Sequence, residues 1–124
     1  MKVHFEDRDY TLSLDDITVA QAKVIKVHRG LTLKGLSEGL KELDADALGA
    51  AYWLMKVQSG DSADIDRVDF KAIKFAEAVG AAGRYETTRE WLLEHGHEFE
   101  DTGEIPAKLQ VIYDENAPKE TSDQ

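Results

Sequence analysis

Apolar and polar residues alternate at Val3 and Phe5 and again at Tyr10, Leu12 and Leu14, the two-residue period of strands with one buried face. Glu6-Asp7-Arg8-Asp9 between them suits a turn, so residues 2–14 are expected to form a β-hairpin. The period then lengthens. Thr18-Val-Ala-Gln21 has the capping-box spacing, in which hydroxyl and amide satisfy free backbone N–H groups reciprocally. A helix is expected from about Val19 to His28, stopping at Gly30, with Ile17, Ala20 or Gln21, Val24, Ile25 and His28 facing inward. Thr32 is the next cap, followed at helical spacing by Leu33, Leu36, Leu40 and Leu43. Gly35 and Gly39 each weaken that helix by about 1 kcal/mol relative to alanine, which a close helix–helix contact would explain.

Asp44 caps the most apolar stretch, which ends at Gly60, a residue suited to the left-handed position beyond a helix. Ala47, Leu48, Ala50, Ala51, Tyr52, Trp53, Leu54, Met55 and Val57 leave almost no polar side, so this helix is expected at the centre of the fold. After a loop at Asp61–Asp64, Asp66 or Asp69 is expected to cap a helix carrying Phe70, Ile73, Phe75, Ala76 and Val79. Gly80-Ala-Ala-Gly83 reads as a break, Thr87–His95 as a short helix with Trp91 and Leu92 on one side, and Lys108–Tyr113 as a strand. The last dozen residues are expected to be disordered. The fold class is mainly α: a small helical bundle with an N-terminal β-hairpin in residues 1–83, then a flexible acidic C-terminal segment, 84–124, partly helical and then disordered.

The 124 residues suffice for one hydrophobic core, and the absence of cysteine removes disulfides, thiolate metal sites and thiol nucleophiles. No signal peptide or membrane helix is expected, which points to the cytoplasm. Net charge is −10, and residues 86–124 hold eleven acids against three bases, a net −8. No cluster of basic residues suits nucleic-acid phosphate, so no nucleic-acid partner is expected.

The candidate chemistry is sparse. Gly35-Leu-Ser-Glu-Gly39 fits the G-x-S-x-G pattern, but it falls inside a leucine-spaced helix rather than at a strand–helix elbow. Asp61, Asp64, Asp66 and Asp69 lack the alternation, central glycine and closing glutamate of a calcium loop. Glu94-His-Gly-His-Glu98 brings imidazoles and carboxylates together, but Gly96 spoils the one-turn spacing that two zinc ligands on a helix need. His4 and His28 stand alone. No catalytic residue, metal site or cofactor is expected, and an interaction protein is favoured over an enzyme by elimination.

The order of elements resembles the tail assembly chaperones of long-tailed, siphovirus-type bacteriophages. The likeness is carried by the strand-like Tyr10–Leu14, the helices at Ile17–Gly30 and Leu31–Leu43, and Asp46-Ala-Leu-Gly-Ala-Ala-Tyr-Trp-Leu54, with Gly60-Asp61 and Ile65–Phe70 after it. It covers about residues 10–80; Arg84–Tyr113 departs from the pattern by carrying more apolar residues than a bare linker. The resemblance implies a non-catalytic helper in the host cytoplasm that binds the tape measure protein, with the tail tube protein as a further partner and self-association compatible. It also implies that a frameshifted extension would attach after Gly83. Tyr52, Trp53, Phe70, Phe75, Trp91 and Leu92 are the candidate partner-binding residues. The rival reading is an acidic mimic of nucleic acid that inhibits a basic DNA-binding protein; a cryptic carboxylate enzyme is a third.

Overall fold

In a computed structural model, residues 1–117 are described; they form a two-stranded antiparallel hairpin and five α-helices. Contacts divide the chain into a first compact unit, Met1–Ala81, and a second beginning at Ala82.

Strands β1 (Lys2–Phe5) and β2 (Arg8–Thr11) pair Val3 with Tyr10 and Phe5 with Arg8. The connection is the two-residue turn Glu6-Asp7, both at positive φ (53° and 62°), the backbone of a primed hairpin turn. Val3, Phe5, Tyr10 and Leu12 are buried as the alternation predicts, but Leu14 is exposed, because the strand ends at Thr11 and the chain turns before it. A 3-10 turn at Leu14–Asp16 leads to α1 (Val19–Arg29), which opens with the complete capping box of Thr18 and Gln21 and ends at left-handed Gly30. Of its expected inward stripe, Ile25 is fully buried, Ile17, Gln21 and Val24 are half-buried, and Ala20 and His28 are exposed.

Helix α2 (Leu33–Glu42) is capped by Thr32, and α3 (Ala45–Gln58) by Asp44, whose carboxylate accepts from the Ala47 N–H at 3.0 Å. Every residue from Ala47 to Met55 is buried, because α3 packs against α2, α1 and β2 at once. Gly39 allows the α2 contact: a Cβ there would lie 2.6 Å from the Ala47 Cβ, whereas one at Gly35 would meet only Thr32 Oγ1, at 3.2 Å, and Leu31. At Gly49, the Arg29 guanidinium occupies the space of a side chain and donates to the Ile65 carbonyl at 2.5 Å. Helix α3 ends in a Schellman motif, with Asp61 N–H on the Lys56 carbonyl and left-handed Gly60 N–H on that of Val57.

Several sequence expectations fail beyond this point. Neither Asp66 nor Asp69 caps a helix: Ile65–Arg67 form a turn, and α4 starts only at Ala72, leaving Ile73 exposed. Gly80–Gly83 is not a break, because α4 runs unbroken from Ala72 to Glu94 and absorbs the separate helix expected at Thr87–His95. Two glycines cost about 1 kcal/mol each, but Ala81 and Ala82 between them are the best helix formers, and burial of Ala82, Thr88 and Leu92 favours the helix further. Lys108–Tyr113 is not a strand but part of α5 (Ala107–Asn116). There the helical spacing of Leu109, Ile112 and Tyr113 leaves all three half-buried, and the Tyr113 ring meets that of Trp91 edge-on at 5.5 Å. Of the disorder expected at the C-terminus, Tyr113–Asn116 are instead helical, and residues 118–124 lie outside the described residues.

Candidate interaction surface

In the first unit, the hairpin is fastened to α3 by polar groups whose chemistry is structural. Arg8 donates two hydrogen bonds to the Asp61 carboxylate, at 2.7 and 2.9 Å. The Tyr52 hydroxyl donates to Glu6 at 2.9 Å, and the Lys56 ammonium donates to the Tyr10 hydroxyl at 3.1 Å while lying over both tyrosine rings. Asp61 is held below the ordinary carboxylate pKa chiefly by its hydrogen bond with Arg8. Lys56 is raised by its bond to Tyr10, and Tyr52 is raised by burial and then by its bond to Glu6. Lys56 therefore stays an ammonium and Tyr52 a phenol at neutral pH, so neither serves as a ready base.

The motifs with catalytic or metal overtones have ordinary occupations. Ser37 is exposed on the continuous helix α2, so G-x-S-x-G forms no elbow. Asp64 accepts from the Asp66 N–H in a local turn, and Asp66 faces His28 at 2.7 Å. Gly96 closes α4 in a second Schellman motif, with His97 N–H on the Leu92 carbonyl and Gly96 N–H on that of Leu93. His95 stacks on Trp91 at 3.9 Å and turns its Nδ1 to the Trp91 carbonyl. Among the described residues, no group of three His, Asp or Glu side chains is placed to hold a metal ion, and no helix is long and apolar enough to cross a membrane.

The six candidate partner residues fall in both units. In the first, Tyr52, Phe70 and Phe75 join Phe5 in an aromatic cluster, with Phe70 stacked on Tyr52 at 4.3 Å and Phe75 edge-on to both. Trp53 is buried and donates its indole N–H to the Ala63 carbonyl at 3.1 Å. Tyr52, Trp53, Phe75 and, in the second unit, Leu92 are core residues; only half-buried Phe70 and Trp91 offer surface. Phe70 lines a groove of about 730 Å³ beside the hairpin turn, with charges of both signs around it: Glu6, Asp7 and Asp69 against Lys71 and Lys74.

A second groove, of about 370 Å³, lies between α1 and the start of α2. Its apolar surface comes from Ile17, Val19, Ala22, Leu31 and Leu33, with Val19 75% and Leu33 49% exposed. The polar lining is Lys23, Lys26 and the two capping threonines, Thr18 and Thr32. Sequence reasoning missed these residues, and no local signal marks them: Val27, on the same helix but off the groove, is as exposed as Val19. No family model, curated protein or solved structure matches this chain.

Proposed function

We propose that the chain is a non-catalytic binding protein, a tail assembly chaperone whose client is the phage tape measure protein. The observation that carries this reading is the exposed aliphatic surface on α1 and α2, Val19, Leu33 and their neighbours, on a unit whose core is otherwise closed over α3. A chaperone for an elongated helical client needs such apolar surface to cover the client, and net charge to keep the complex soluble. The net −10 supplies the charge. The resemblance in residues 10–80 supplies the identity of the client. The exposed place of Ser37 on a continuous helix and the engagement of Lys56, Tyr52, Asp61, Asp64 and Asp66 in structural bonds favour binding over catalysis.

The test is capture of a co-expressed tape measure protein from the same genome by the full chain, at low and at high salt. Apolar burial persists when exposed charges are screened beyond a Debye length of about 8 Å at physiological ionic strength, so capture is expected in both conditions. No capture in either would refute the reading. Affinity for a basic protein that collapses with salt would favour the nucleic-acid mimic instead.

A further inference from the structure

We propose that the groove between α1 and α2 is a docking site for one amphipathic helix of a partner protein, bearing carboxylates beside its aliphatic stripe. The inference rests on the reading of this chain as a binding protein, but not on which client it serves.

Charge complementarity selects the occupant. The groove is lined by Lys23 and Lys26 and by no acid, in a chain of net charge −10. Thr18 and Thr32, the N-caps of α1 and α2, both line it, so two helix N-termini with their partial positive charge open on the same space. Neither helix has an acid in its first turn to offset that charge; Asp15 and Asp16 lie upstream on the 3-10 turn, outside the lining. An acidic partner is repelled by most of the chain and attracted here, which fixes both where it binds and in which register.

The shape selects a helix. One wall is α1, where Val19, Ala22 and Lys26 recur at helical spacing; the other is the Leu31-Thr32 connection with Leu33 at the start of α2. A partner helix seats aliphatic residues at i, i+3 or i+4 and i+7 against such a surface, and its flanking carboxylates then fall beside the lysines. Lysines that line an apolar groove, as Lys23 and Lys26 do, cover it with their stems while keeping the ammonium group in water, where a partner's carboxylate can meet it.

The experiment uses the full chain and two labelled helical peptides of about 18 residues, long enough for five turns. Both carry the same leucine stripe; one is flanked by glutamates, the other by lysines. Fluorescence anisotropy is expected to show binding of the glutamate peptide at least about tenfold tighter, a gap that narrows with salt. Val19→Asp should weaken it by at least about tenfold, and the double reversal Lys23→Glu with Lys26→Glu should invert the preference between peptides. Val27→Asp is the control: Val27 is as exposed as Val19 (78%) on the same helix but does not line the groove, so binding should not change. Equal binding of the two peptides would overturn the proposal, as would equal losses from Val19→Asp and Val27→Asp. Self-association of the chain that is abolished by Val19→Asp would assign the groove to a second copy and overturn it too. Capture of the tape measure protein by Val19→Asp at the parent level would reject this groove while leaving the chaperone reading standing.

Discussion

Replacing Gly39 by alanine tests the packing of α2 on α3 against the helix preference of its own sequence. Propensity alone favours alanine by about 1 kcal/mol in a helix interior. Packing opposes it, because the new Cβ would lie 2.6 Å from the Ala47 Cβ, against about 3.5–4.0 Å for carbons in contact. Both atoms are fixed to backbone, so the helices must separate by about 1 Å, and overpacking of that kind costs about 1–3 kcal/mol. The net expectation is a loss of up to about 2 kcal/mol, seen as a lower urea midpoint by circular dichroism with an unchanged slope. Ala47→Gly removes the opposing methyl, so the double variant should be more stable than the sum of the single losses by about 1 kcal/mol. Two comparisons bracket the effect. Gly49→Ala should cost less, because its Cβ would meet the far end of the long Arg29 side chain rather than a Cβ fixed to backbone. Gly83→Ala meets nothing within 4 Å and should gain about 0.5–1 kcal/mol. A Gly39→Ala protein more stable than its parent, as propensity alone requires, or one that Ala47→Gly fails to rescue, would refute the reasoning.

Trp53→Ala should cost about 3–5 kcal/mol, since the indole is buried and holds the Ala63 carbonyl; an unchanged denaturation midpoint would contradict its core role. Because Arg8 depresses the Asp61 pKa, the pair stabilises the fold fully above the ordinary carboxylate pKa and loses this as pH falls through Asp61's lower folded value. Asp61→Asn should therefore be less stable than the parent at neutral pH, and melting curves taken at successively lower pH should show the gap closing. Asp7→Gly should raise stability by about 0.5–1 kcal/mol by relieving the φ of 62°, read as a higher urea midpoint. Thermal melts with and without a chelator should coincide, because Asp61, Asp64 and Asp66 are engaged with Arg8, the Asp66 N–H and His28; a fall of many degrees on chelation would revive a metal role.

What the sequence determined by itself lies where a few neighbouring residues suffice. Thr18 with Gln21, Thr32 and Asp44 fix helix starts through side-chain bonds reaching three residues, and Gly60 fixes a helix end by tolerating positive φ. The burial of α3 was equally legible, because a helix apolar on every side has only one stable environment. The strand period of residues 3–12 placed the hairpin for the same local reason. Tertiary structure decided the rest. Gly80 and Gly83 lower local helix preference, and burial of Ala82, Thr88 and Leu92 joins the alanines between them in making α4 continuous. Lys108–Tyr113 satisfies strand and helix patterns alike, and the meeting of Tyr113 with Trp91 belongs to the helical solution. Which apolar side chains reach the surface was also beyond the sequence. Tyr52, Trp53, Phe75 and Leu92 look like binding aromatics and aliphatics but are enclosed, whereas Val19 and Leu33 look like ordinary helix residues and stay open to solvent. The physical reason is that exposure depends on which distant elements pack over a residue, and a local pattern carries no information about them.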